Sequence, residues 1–223
     1  MEHQKLEQST GLVMASIEFV LRAALRDPVD EDFVHSIAGR IIAETQEIAE
    51  QEAGHLEAML VQFDDALDHG IDTFRLGDGF SGEISEYWER LFDVETGYIK
   101  QDLQADYEVL SMDLLIIEHL ELHPRFRGLG LGEAAINRTI DVFGSNCGFV
   151  ACQPWPIQFT PAGKADPVVL ERLALPDIKE GAALEKLRKY VARIGFWPLG
   201  DTGIYVMSMS QRACKNRGQR RIH

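Results

Sequence analysis

Cysteine is scarce. Cys147, Cys152 and Cys214 are the only three, they have no metal-type spacing, and an odd number cannot all pair. That argues against a disulfide scaffold and reads as reduced thiols in a cytoplasmic protein. No apolar run approaches the roughly 18 residues that a membrane span needs. The opening stretch MEHQKLEQST is polar and has no secretory apolar segment. Internal repeats and low-complexity tracts are absent, which excludes solenoids and propellers. Basic residues are thin where acidic ones are dense: residues 44–108 carry 18 Asp or Glu against three Lys or Arg. With a net charge of −14, the body lacks the basic face that phosphate contacts require, so no nucleic-acid partner is expected. An acidic body suits a cationic acceptor such as an amine, and equally a solvated surface that aids solubility. Only the end reverses sign, with Arg212, Lys215, Arg217, Arg220 and Arg221, and 210–223 reads as a basic, mobile tail.

What is present is an ordinary globular composition, 45% apolar and 26% charged over 223 residues, enough for one domain with a sizeable core. Residues 14–25, 35–45 and 54–63 are apolar-rich and strand-like. Residues 77–82 read as a Gly-rich acidic loop before a helix over 83–92, where Ile84, Tyr87, Trp88 and Leu91 have helical spacing. The clearest element is 112–122, MDLLIIEHLEL, a central strand that His123-Pro124 ends. After a glycine-rich turn, GEAAINRTIDVFG (132–144) reads as an amphipathic helix. A second buried strand follows at GFVACQPW (148–155), then an irregular Pro-containing connection over 157–181. A helix over 182–195 and a strand over 204–209 complete the chain. The second half therefore alternates strand, helix, strand, helix, strand, which implies an α/β sheet with at least one parallel crossover.

The chemistry-bearing feature is the turn Arg127-Gly128-Leu129-Gly130-Leu131-Gly132. Glycines let the backbone approach a ligand closely, and a helix N-terminus offers unpaired N–H groups, so together they suit a pyrophosphate. No Gly-Lys-Ser/Thr follows, so this is not a Walker loop. With Ala135 it forms a pseudo-match to a dinucleotide fingerprint, but the acidic ribose-binding residue is missing, because the next strand ends in Cys152-Gln153-Pro154. The histidines show no metal spacing: His119 and His123 are four apart on a strand, where they do not converge. Cys152 reads as a core residue.

Residues 120–132, LELHPRFRGLGLG, resemble motif A of the GNAT superfamily of N-acetyltransferases, a strand, a V-x-P-x-x-R/Q-x-x-G-x-G/A turn and a helix. Arg127, Gly130 and Gly132 stand at its signature positions and Pro124 at its proline. Residues 186–196, KLRKYVARIGF, resemble motif B, a helix ending in Y-x-K-L-G-F. The resemblance implies a single α/β domain with a GNAT-type mixed central sheet flanked by helices and splayed between two central parallel strands. Residues 111–209 would be its acyl-CoA-binding core and residues 1–110 a divergent N-terminal part.

The resemblance also implies roles. The donor would be acetyl-CoA. The backbone of Leu120, Glu121 and Leu122 would hydrogen-bond the pantetheine arm, and Arg127, Gly128, Leu129, Gly130, Leu131, Gly132 and Glu133 would surround the pyrophosphate. A small-molecule or peptide amine would attack the thioester directly. Glu118 is the candidate base, because burial on a central strand would raise its pKa toward neutrality, and His119 is the alternative. The family's usual thiolate acid, a Tyr, falls on Val191 here, so the neighbouring Tyr190 is the candidate acid. Glu133 is a further departure, an acid beside the expected phosphates. Trp155 and Phe159 are candidate walls of the acceptor pocket. A catalytically inactive acyl-CoA-binding protein of the same fold stays open, and a homodimer is compatible with the sequence.

Overall fold

The computed structural model describes residues 11–22, 29–46, 49–79, 82–160, 163–164 and 167–220. Three long strands, β1 (Leu12–Leu21), β2 (Val34–Thr45) and β3 (Gln51–Val61), form an antiparallel meander. Four short helices follow: α1 (Phe63–Asp68), α2 (Thr73–Gly79), α3 (Gly82–Leu91) and α4 (Gln101–Tyr107). The chain then returns as β4 (Leu114–Leu122), crosses through α5 (Leu131–Phe143) and re-enters as β5 (Phe149–Cys152). A two-residue hairpin, β6 (Phe159–Thr160) with β7 (Gly163–Lys164), precedes α6 (Pro167–Leu173) and α7 (Glu180–Ile194). The last elements are β8 (Trp197–Pro198), β9 (Tyr205–Ser208) and α8 (Met209–Arg220). The main sheet has seven strands in the order β1-β2-β3-β4-β5-β9-β8.

The sheet is mixed. β4 and β5 are parallel, and the other neighbours are antiparallel. β4 is the hinge of the architecture because it is buried on both faces. Leu114 and Ile116 join Phe63, Trp88, Leu91 and Phe92 in one core, on the side of α1–α4. Leu115 and Ile117 join Ile136, Ile140 and Val191 in a second core, under α5 and α7. That double burial is why its first half reads as an unbroken apolar run. The 118–122 end of β4 continues past Cys152, where β5 stops, so the two parallel strands part there. This is the helix-flanked, splayed mixed sheet expected from the sequence.

The strand expected over 14–25 is β1, and residues 23–25 lie outside the described ones. Residues 77–79 belong to α2 and Gly82 opens α3, so the loop expected over 77–82 is not a loop at those positions; residues 80–81 lie outside the described ones. The cause is packing: a Cβ on Gly77 would collide with the Trp88 ring, and glycine lets α2 and α3 close on each other. The connection over 157–181 is also less irregular than expected, since it contains the β6–β7 hairpin and α6. Much of the basic segment 210–223 lies in α8, where Arg212 reaches Asn137 Oδ1 at 3.1 Å and Asp141 Oδ1 at 2.9 Å on α5; residues 221–223 lie outside the described ones. Among the described residues no helix is long and apolar enough to cross a membrane.

An acidic knot joins α1 to the start of β4. The Asp64 N–H donates to Asp113 Oδ1 at 2.9 Å, and Asp64 Oδ2 accepts from Ser111 Oγ (2.8 Å) and the Met112 N–H (3.1 Å). Burial, then the charges of Asp64 and Asp65, push the Asp113 carboxyl from 3.8 up to about 6. The folded chain therefore holds that proton more tightly than the unfolded chain does. Stability falls as pH rises from about 4 to about 6, and the penalty persists above that window. Asp113→Asn keeps the acceptor oxygen and removes the charge. It should raise the melting temperature by a few degrees at pH 8 and change it little at pH 4, measured by thermal unfolding at the two pH values.

Candidate functional site

The site grows from the junction of β4 and α5. Pro124 opens a 3-10 turn (Pro124–Phe126) whose Phe126 is buried in the core under α5 and anchors the connection. Arg127 is extended, and its Nε donates to the Leu122 carbonyl at 3.0 Å, tying the turn back to the strand end. Gly128 and Gly130 have φ of 77° and 78°, a region costly for any residue with a Cβ. Gly130 is the N-cap of α5. The N–H groups of Leu131, Gly132 and Glu133 open the helix, have no partner one turn back, and carry the positive end of its dipole. Gly132 is small for a different reason. A Cβ there would lie 2.8 Å from Tyr190 Oη and 3.2 Å from Leu120 Cδ2, so glycine lets α5, α7 and β4 approach one another.

A cleft of about 900 Å³ opens here. Of the residues that the sequence singled out, Leu120, Glu121, Leu122, Arg127, Gly128, Gly130, Leu131, Gly132, Glu133, Trp155 and Tyr190 line it. Leu129 does not line it; its side chain packs on the core beneath α5. Glu118, His119 and Phe159 are not among the lining residues. Sequence reasoning missed the opposite wall, Leu173 at the end of α6, Leu175, Pro176 and Ile178 from the α6–α7 connection, and Lys186 and Arg193 on α7. The apolar spacing of α7 was readable, but which residues of the connection would fold back over the turn was not.

The β3–β4 register shifts within the site. Ala58 faces Ile117 and Glu57 faces His119, so Glu118 is the extra residue of a β-bulge. The bulge flips the alternation. Leu115 and Ile117 face α5, and beyond Glu118 it is Leu120 and Leu122 that pack on that core. His119 and Glu121 fall on the other face. Glu118 is exposed, so the burial on which its basicity was expected to rest is absent. The buried carboxylate is Glu121, 6% accessible. Both its oxygens accept from the guanidinium of Arg172 on α6, one of them at 3.1 Å, and His55 and His119 flank it. Burial alone pushes the Glu121 carboxyl up, but the Arg172 hydrogen bond and His55 outweigh it and hold it below its ordinary range.

On the α7 side, burial and then Glu133 push the Tyr190 hydroxyl up to about 12, so it carries its proton at neutral pH. The Arg193 guanidinium lies 5.4 Å from the centre of the Tyr190 ring and 3.3 Å from Glu133 Oε2, which neutralises the acid beside the turn. Val191, at the position where the motif resemblance expects an acid, is buried in the core. Burial also pushes the Cys147 and Cys152 thiols up to about 12, which leaves neither as a thiolate nucleophile. Trp155 is about half exposed, and its Nε1 donates to the Phe159 carbonyl at 3.0 Å, so the two expected pocket residues brace one corner.

No protein-family model matches the chain. No curated protein matches it either. Among solved structures, the crystal structure of nourseothricin acetyltransferase aligns over 93% of this chain and 93% of that chain, at 14% identity and a TM-score of 0.31. A likeness that low carries no argument about activity or site.

Arg172→Met tests the tie between α6 and the strand. Arg172 is about half exposed, which tempers the effect, and the variant should be less stable than wild type at pH 7. Because the Glu121 carboxyl is held below its ordinary 4.5, its contribution is present above that value and lost as pH falls through the lower folded value. Urea unfolding should therefore show the difference between wild type and variant shrinking in acid.

Proposed function

We propose that the chain is an acyl-CoA-dependent N-acyltransferase, taking an acetyl group from acetyl-CoA to an amine. The observation that carries this reading is the continuity of one cleft with two kinds of backbone donor. At one end are the helix-opening N–H groups after Gly128 and Gly130. At the other is the edge of β4 over Leu120, Glu121 and Leu122, past the end of its pairing with β5. The first suits a pyrophosphate. The second suits an extended amide-bearing arm that adds to a strand edge. Coenzyme A has both parts in that order, Lys186 supplies positive charge to the wall facing the turn, and Arg193 offsets Glu133 beside it.

In this reading the parting of β4 and β5 receives the thioester. The acceptor nitrogen attacks the carbonyl carbon, the C–N bond forms, and the C–S bond breaks as the tetrahedral intermediate collapses. The ammonium proton passes through water to Glu118 at the bulge, which stands outside the cleft lining. Tyr190 is protonated at neutral pH and is the donor available to the leaving thiolate. The acidic composition of 44–108 favours a cationic acceptor, either a small molecule or a peptide amine. One observation favours binding without catalysis: the motif position of the usual acid is Val191, sealed in the core.

Calorimetric titration of acetyl-CoA tests the reading, with NADH as control. Wild type should bind acetyl-CoA saturably and NADH not at all. Gly130→Glu puts a side chain and a negative charge into the turn and should abolish binding. Lys186→Glu, on an exposed face of α7, should weaken it several-fold without unfolding the protein. No saturable binding to wild type overturns the proposal. Binding without transfer to any of a panel of amines favours the non-catalytic alternative.

A further inference from the structure

The bulge at Glu118 has a second effect. It turns His119 and Glu121 together onto the sheet face away from α5, and the β3–β4 register sets His55 directly across from Glu121. The rings of His55 and His119 stack, with centroids 5.1 Å apart and planes 22° from parallel. His55 Nδ1 lies 3.9 Å from Glu121 Oε1, and His119 Nε2 lies 3.6 Å from Oε2. One ligand atom from each of the three residues falls within 4.8 Å of the others. We propose that His55, His119 and Glu121 form a three-ligand site for a zinc-like divalent cation, held on two paired strands at the edge of the cleft.

The donor set is the first argument. Two imidazoles and one carboxylate, with a fourth position open, is an established arrangement for tetrahedral zinc. Ligand–metal distances of about 2.0–2.1 Å place tetrahedral ligand atoms about 3.3 Å apart. His119 Nε2 at 3.6 Å and His55 Nδ1 at 3.9 Å lie a little beyond that spacing, each from a different carboxylate oxygen, and the three ligand atoms fall within 4.8 Å of one another, so side-chain rotations must draw them together around an ion. Preorganisation is the second argument. The carboxylate is buried and fixed by Arg172, while both histidines keep about a third of their side chains accessible, which gives an ion a way in. Arg172 does not use up the carboxylate. Each oxygen has two lone pairs and gives one to the guanidinium, the outer-shell pattern that orients carboxylate ligands at metal sites. The guanidinium charge opposes a dication, so affinity should fall below that of a closed four-ligand structural site. Glu121 also lines the cleft, so an ion here borders the space offered to a ligand. The proposal stands apart from the acyl-transfer reading, because metal binding is measured without donor or acceptor.

The test is titration of the metal-free 223-residue chain with Co²⁺, followed by visible absorption, then back-titration with Zn²⁺. Wild type should take up one equivalent of Co²⁺ with the intense ligand-field bands of a four-coordinate ion, and Zn²⁺ should displace it. His55→Gln and His119→Gln keep size and polarity and should each weaken binding at least tenfold. His69→Gln, at the end of α1, should bind as wild type does. Zinc should also raise the melting temperature of wild type and of His69→Gln, and not of the two cluster variants. Absence of saturable uptake by wild type overturns the proposal, as does uptake that both cluster variants retain.

Discussion

Between Ile117 and His119 the β3–β4 ladder skips a residue, and the layout of the site depends on that skip. Without it, strict alternation would drive His119 and Glu121 into the core beneath α5 and turn Leu120 and Leu122 toward the opposite face. With it, the two leucines close the core that supports α5, while the two polar residues meet His55 and Arg172. Burying an ionised carboxylate without partners costs several kcal/mol, and here it accepts a two-pronged guanidinium contact. The same strand therefore serves as hydrophobic support on one face and as polar site on the other.

The turn after the strand works by a complementary constraint. Gly128 and Gly130 adopt left-handed backbone that bears no side chain, so the chain can reverse quickly and deliver the open end of α5 to the cleft. Phe126 below and the Arg127–Leu122 hydrogen bond above hold that reversal in place. Gly132 removes the last side chain that would separate α5 from Tyr190 and Leu120. The result is a set of backbone donors fixed by packing, which is the condition under which an anion site loses little ordering entropy on binding.

Much of this was legible in the sequence because it depends on local chemistry. The apolar run of 114–117, the prolines and glycines that follow, and the amphipathic spacing of α5 and α7 marked strand, turn and helices, and eleven of the residues singled out line one cleft. What was not legible depends on register. A bulge leaves no mark in LLIIEHLEL, so Glu118 looked like the buried carboxylate, and the buried one is Glu121. The grouping of His55 with His119 and Glu121 spans two strands more than 60 residues apart in the chain, beyond any linear spacing rule. The loop expected over 77–82 failed for another reason. Glycine there serves a close helix–helix approach at Trp88, and composition alone cannot tell that use from a turn.

The central claim is that the uncovered edge of β4 and the open end of α5 act as one backbone surface for coenzyme A. Amide hydrogen exchange with and without coenzyme A tests it most directly. The account predicts slowed exchange at 120–122 and 128–133, with any further slowing limited to the facing wall over 173–193 and the β1–β2 ladder unchanged. Unchanged exchange across 120–122 and 128–133 under saturating coenzyme A would contradict it.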